Sequence, residues 1–145
     1  MKKKIVLLVV AMMMCLSSIC LAADNGTLLS AEEKIAGRFI EALTGKIDYA
    51  DIQGDLTESM SKQLTSKKFT EVRGVIKNQF GTLTNTKLAV LEKHDNADRL
   101  FYVSNGTKEK VVELMLFFDT SGKRPFINEI TMRGLPVQET AKTTK

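Results

Sequence analysis

The sequence has no tryptophan, one histidine, two prolines and two cysteines. Both cysteines, Cys15 and Cys20, fall in the first two blocks of ten, so the chain beyond them offers neither a disulfide nor a thiol. With one histidine and no such thiol, the Cys and His clusters that hold zinc are excluded, and the carboxylates lack the spacing of a calcium loop. There is no G-x-S-x-G elbow for a serine nucleophile, and the glycines form no phosphate loop. No cofactor is called for. A surplus of positive charge is also missing. The formal net charge is +4, but three of the 21 basic residues are Lys2, Lys3 and Lys4, so the remaining 18 face 17 acidic residues and leave only +1. A nucleic-acid partner is therefore not expected, because such proteins concentrate Lys and Arg on one face.

What is present begins with MKKKIVLLVVAMMMCLSSICLAADNG. A lysine cluster, an apolar run from Ile5 to about Leu16 and the small-residue stretch CLAA make the three parts of a secretory signal. Cleavage after Ala22 would set Cys20 and Ala22 at the two positions that require small side chains. The expected organisation is a signal peptide over 1–22, a flexible lead-in over 23–29, one domain over 30–134 and a disordered polar tail over 135–145. The apolar run is close to bilayer length, but Ser17, Ser18 and the cleavage site argue against a retained anchor. Cys20 follows bulky Ile19, a poor match to a bacterial lipid-attachment sequence. The expected location is the periplasm or the exterior of a bacterial cell.

Within the domain, Ser30 and Glu33 form a capping-box pattern that predicts a helix start. The apolar stripe Ile35, Ala36, Phe39, Ile40 and Leu43 continues that helix until Gly45 closes it. Tyr49, Ile52, Leu56, Met60 and Leu64 recur every three or four residues and predict two short helical pieces. Thr65 caps a further helix with Phe69, Val72, Ile76 and Phe80 on one face and Gly81 at its end. After Gly81 the period changes from helical to alternating. A strand over 84–94 places Leu88 and Val90 opposite Ala89 and Leu91, and a second runs over 99–104. The Asn105-Gly106 pair then reads as a hairpin turn. The strand over 108–119 has Val112, Leu114, Leu116 and Phe118 on one face and Val111, Met115 and Phe117 on the other. Both faces therefore need cover, whereas an antiparallel sheet with a solvated face shows polar alternation. A turn at Ser121-Gly122 leads to a last strand over 125–133, with Ile127 opposite Phe126, Ile130 and Met132. Helices followed by an antiparallel meander define an α+β class.

The segments AGRFIEALTGKIDYADI and LTESMSKQLTSKKFTEVRGVIKNQFG, followed by a meander with a DTSGK turn, resemble the nuclear-transport-factor-2-like superfamily of cystatin-like α+β folds. The FIEAL stretch, the QFG helix end and the DTSG turn look most like domain-of-unknown-function family 3887, over residues 30–132. Domains of this kind occur alone after a signal peptide or ahead of an α/β-hydrolase. The resemblance implies a four-stranded sheet curled around the first helix into a cone whose mouth can hold a ligand. It also implies a homodimer through the sheet's outer face, here Val111, Met115 and Phe117. Some relatives are isomerases, dehydratases or cyclases with an Asp or His in the cone, so fold alone does not decide activity.

Three residues are candidates for proton transfer. His94 stands beside Asp95, where an imidazole near a carboxylate can act as a general base, although a solvated turn is the commoner role. Glu113 and Glu129 fall mid-strand in neighbouring strands, where a carboxylate pair in a pocket can divide into acid and base. Cross-strand pairing with Lys or Arg, or exposure at the sheet edge, is the more frequent arrangement. Tyr49, Arg99 and Tyr102 are candidates to line a cone and orient a polar ligand, although both tyrosines stand at core spacing. The leading expectation is a secreted, non-catalytic binding or accessory domain for a small ligand or an envelope protein, with no stable membrane anchor after cleavage. The alternative is a small lyase or isomerase that uses His94 or the Glu113/Glu129 pair.

Overall fold

The computed structural model describes residues 26–108 and 110–135. The expected signal peptide and its cleavage site, and most of the polar tail, lie outside the described residues. Helix α1 occupies 26–44 and buries Ile35, Ala36, Phe39, Ala42 and Leu43. It is already helical at 26, so part of the expected lead-in belongs to it and Ser30 lies inside the helix instead of capping it. The half-buried Leu28 and Leu29 carry the apolar stripe upstream of Ser30. At the other end Gly45 has φ 82°, and the N–H groups of Gly45 and Lys46 donate to the carbonyls of Ala42 and Glu41 at 3.1 and 2.9 Å. This is a Schellman ending, which the left-handed glycine permits.

The middle of the chain forms helix α2 (Tyr49–Ile52), a 3₁₀ turn (Gln53–Asp55) and helix α3 (Glu58–Gln63). Asp48 and Asp51 make a capping box on α2, and the Thr57 hydroxyl accepts from the Met60 N–H to start α3. Helix α4 (Ser66–Phe80) begins at Thr65, whose hydroxyl accepts from the Lys68 N–H, and ends at Gly81 with φ 78°. Thr65 and Gly81 thus bound the helix as their residue types predict.

The remaining chain is one antiparallel sheet in the order β1-β2-β3-β4, built from Leu83–Lys93, Ala97–Gly106, Lys110–Asp119 and Phe126–Leu135. The turn expected at Asn105-Gly106 falls two residues later, at Thr107-Lys108. Both residues pair within β2, with Gly106 opposite Lys110. A Cβ on Gly106 would lie 2.5 Å from the Phe80 carbonyl oxygen, so glycine here admits the end of α4 against the sheet rather than forming the turn.

Register corrects two facial assignments. In β1, Ala89 is an extra residue between the pairs Leu88–Tyr102 and Val90–Phe101, so Leu88 and Leu91 share the helix-facing side and Val90 faces away. In β4, Asn128 is extra between the pairs Phe118–Ile127 and Phe117–Glu129, which brings Ile127, Ile130 and Met132 to one face. Strict two-residue alternation cannot anticipate a bulge, which shifts every later side chain to the other face. A third irregularity follows Thr84, where Asn85 has φ 54°. Such bulges bend strands and increase twist, and the sheet curves around α1.

On the concave side Leu100, Val112, Leu114, Leu116, Phe118 and Ile127 pack against α1 and α4. Two further contacts close the edge. The Thr57 N–H donates to the Ile127 carbonyl at 2.9 Å, and buried Asp55 takes Arg38 of α1 at 3.1 Å and Arg124 of the β3–β4 turn at 3.3 Å. One carboxylate thus ties the first helix, the 3₁₀ turn and the far end of the sheet together.

Candidate functional site

Helix α4 carries more apolar surface than it buries. Phe69, Ile76 and Phe80 enter the core, Phe69 edge-on to Phe39 at 5.9 Å. Val72, expected on that same buried face, is 40% exposed, and Val75 beside it is 51% exposed. Together they form one wall of a groove of about 600 Å³. Ile130 and Met132 of β4 form the facing wall, Met60 and Leu64 close one end, and Phe39 and Leu43 of α1 contribute the floor. The exposed side chains of Lys68, Glu71 and Gln79 add polar groups to an otherwise apolar lining. The volume and the mix of apolar walls with a few polar groups are those of a small-molecule pocket.

The residues proposed from sequence are elsewhere. His94 is exposed in the β1–β2 turn, where its main-chain N–H donates to the Ala97 carbonyl and, at 3.3 Å, to Asp98 Oδ1. Glu113 lies on the convex face, 2.7 Å from Arg133 Nε, while Glu129 is exposed opposite Phe117. The two glutamates are not brought together, and neither they nor His94 lines the groove. Arg99 is also on the convex face, 5.3 Å over the Phe117 ring and 3.3 Å from Glu92. Tyr49 is buried with its hydroxyl donating to the Leu64 carbonyl and its ring 5.4 Å from Phe69, and burial raises its pKa. Tyr102 is buried on the concave face, and burial, with the negative charges of Glu33 and Glu32, pushes its phenol up to about 12. Both tyrosines are core residues here, and neither belongs to the groove lining.

A second cluster was not anticipated. Glu32 of α1 is 0% exposed and Asp98 of β2 is 2% exposed. Between them and solvent stands Lys93 of β1, whose Nζ is 2.5 Å from Asp98 and 3.6 Å from Glu32. Neither Glu32 oxygen has a hydrogen-bond donor among the described residues. Burial comes first among the causes that raise the Glu32 pKa to about 8, followed by the adjacent Asp98. Asp98 moves the other way. Burial opposes its charge, but the neighbouring Glu32 carboxyl in its protonated form and the hydrogen bonds from Lys93 and the His94 N–H outweigh that and hold it below its usual 3.8. Lys93 also pays desolvation, yet Asp98 and Glu32 raise its pKa overall. A sequence signal did exist. Glu32 stands three and four residues before Ile35 and Ala36 on the buried stripe of α1, and Asp98 alternates with Leu100, Tyr102 and Ser104 on the buried face of β2. Charges at core-facing positions are exceptional and need partners.

Among the described residues no group of three or more His, Cys, Asp or Glu side chains is placed to hold a metal ion. No helix among them is long and apolar enough to cross a membrane. No family model, curated protein or solved structure matches the chain.

Proposed function

We propose that this chain is an exported binding domain of the nuclear-transport-factor-2-like type, which takes a small, mainly apolar ligand in the groove between α4 and β4. The observation that carries this reading is the pair of exposed valines, Val72 and Val75, facing Ile130 and Met132 across about 600 Å³. Apolar side chains left uncovered in a concave site gain free energy when a ligand removes them from water. Lys68, Glu71 and Gln79 can engage a polar end of the ligand and fix its direction. The leader sequence supports export, and the succession of helices and curved meander supports the superfamily resemblance. None of the three proton-transfer candidates opens into the groove, which favours binding over the lyase or isomerase alternative.

N-phenyl-1-naphthylamine, an uncharged fluorescent hydrophobe, is a suitable probe. The purified protein is expected to enhance its emission saturably, and Val75→Asp is expected to weaken binding at least about tenfold, the effect of about 1.4 kcal/mol. Because Val75 is exposed, the substitution leaves the melting temperature nearly unchanged. Val90→Asp, at an exposed position on the convex face, serves as a control that retains binding. Absence of saturable binding, or equal binding by Val75→Asp, contradicts the reading.

The convex face supports a second element of the proposal, a homodimer. Val111, Met115 and Phe117 of β3 are only half-buried and continue into Phe101 and Val103 of β2. The Glu113–Arg133 pair interrupts this strip between Val111 and Met115, and the Glu92–Arg99 pair lies beside Phe117. Half-buried apolar side chains whose neighbouring charges are already paired are suited to a protein interface. Sedimentation velocity is expected to give a dimer that Met115→Lys converts to monomer. A wild-type monomer at high micromolar concentration contradicts the dimer and leaves the groove reading intact.

A further inference from the structure

The cluster of Glu32, Asp98 and Lys93 lies outside the groove lining and joins parts of the fold that are far apart in sequence. Glu32 belongs to the first half of α1, while Lys93 and Asp98 stand at opposite sides of the β1–β2 turn, paired across the ladder. Fully ionised, the cluster holds two carboxylates against one ammonium, and so a net negative charge where Glu32 and Asp98 are all but inaccessible to water. One proton makes it neutral. Two ionised carboxylates in contact cannot hydrogen-bond, whereas a protonated Glu32 donates O–H to Asp98 and satisfies one of its own otherwise unpartnered oxygens.

Among the groups facing the site Lys93 alone lowers the Glu32 pKa, and burial and Asp98 outweigh it. From β1 comes Lys93, which is closer to Asp98 than to Glu32 and so favours ionisation of Asp98 first. From β2 come Asp98 itself and Tyr102, a neutral phenol that adds no positive charge. The turn supplies the His94 main-chain N–H, and it too is given to Asp98. On α1 itself the neighbour is Glu33, a further negative charge. The proton therefore belongs to Glu32.

We propose that Glu32 is a proton-operated latch: one proton, shared with Asp98 beneath Lys93, seats the first turns of α1 on the β1–β2 hairpin, and its loss to solvent releases those turns while α4 and the rest of the sheet stay folded. Beyond Glu32, α1 is fixed independently by Ile35, Ala36, Phe39, Ala42 and Leu43 in the core and by the Arg38–Asp55 pair, so release is confined to the turns up to Glu32. Release of these turns is thus a local event of the kind that partial opening of a native fold permits. The direction with pH follows from linkage. Because the fold raises the Glu32 pKa from 4.5 to about 8, its contribution is complete below pH 4.5 and is lost as the pH rises through about 8. Asp98, held below 3.8, contributes stability above that value which is lost as the pH falls through its lower folded value.

The latch is tested directly by following the Glu32 side-chain carboxyl carbon by NMR across pH 3–10 in the purified protein, together with amide exchange corrected for intrinsic rates. Glu32 is expected to titrate near pH 8, with protection of residues 28–34 falling at least about tenfold over the same range while that of 35–44 and 69–80 is kept. Glu32→Gln, which keeps a donor toward Asp98 without a titrating proton, is expected to hold residues 28–34 protected from pH 6 to 9. A Glu32 carboxyl that titrates near 4.5, or an α1 whose protection has the same pH dependence in wild type and Glu32→Gln, overturns the proposal. The carboxyl titration needs only the wild-type chain, so the test stands even where the variant folds poorly.

Discussion

Phe39→Ala is expected to destabilise the protein by about 3–5 kcal/mol, the cost of removing a large aromatic side chain from a packed core. Phe39 is fully enclosed, meets Phe69 edge-on at 5.9 Å and forms the floor of the groove, so it belongs to the core and to the ligand site at once. A small domain has only about 5–15 kcal/mol in total, so this one change removes a large fraction of it. Thermal unfolding should show a fall in Tm of roughly 15 °C or more. Phe39→Leu keeps most of the apolar volume and should lose less than half as much. A Phe39→Ala protein that melts within a few degrees of wild type would mean that α1 does not form the centre of the core.

Lys93→Met is expected to cost about 3 kcal/mol at pH 8, the low end for removing one partner of a buried ion pair. The aliphatic stem is kept and only the ammonium is lost, so the effect measures the charge rather than the packing. The low end applies because Lys93 is itself partly exposed, and water can reach part of the space it leaves. The loss depends on pH in a fixed direction. At pH 8 Glu32 is half ionised and Asp98 is fully ionised, and without Lys93 that charge has no cation among the described side chains. At pH 5 Glu32 is protonated, the cluster without Lys93 carries one negative charge instead of about one and a half, and the penalty should shrink. Denaturant unfolding at both pH values, with Lys93→Arg as the charge-retaining control, measures it. An equal penalty at the two pH values would show that Lys93 acts through Asp98 or through packing, and not through the charge on Glu32.

The order of elements was legible because the two periods are physically distinct. Ile35, Phe39 and Leu43 recur at helical spacing, whereas Val112, Leu114, Leu116 and Phe118 recur at strand spacing, and each set is buried as one face. The end signals at Gly45, Thr65 and Gly81 also act where their residue types predict. What was not legible depends on register. Ala89 and Asn128 are ordinary residues in the sequence, yet as the extra members of bulges they reverse the facing of Val90 and Ile127 relative to their neighbours. The groove escaped notice for a related reason. Val72 fits the buried stripe of α4, and only the position of β4 shows that the core takes Phe69, Ile76 and Phe80 and leaves Val72 at an opening. The mid-strand glutamates and the lone histidine lie on the convex face and in a turn, away from the groove. The charge on the buried stripe of α1, Glu32, sat among apolar neighbours and was the more informative anomaly.

The central claim, that ligand binds between α4 and β4, is tested most directly by a methyl NMR titration with N-phenyl-1-naphthylamine. Saturable shifts are expected at Val72, Val75, Ile130 and Met132, with the methyl groups of Val90, Val111 and Met115 unmoved. Shifts confined to the convex-face methyl groups, or none at any methyl up to the solubility of the probe, would contradict it.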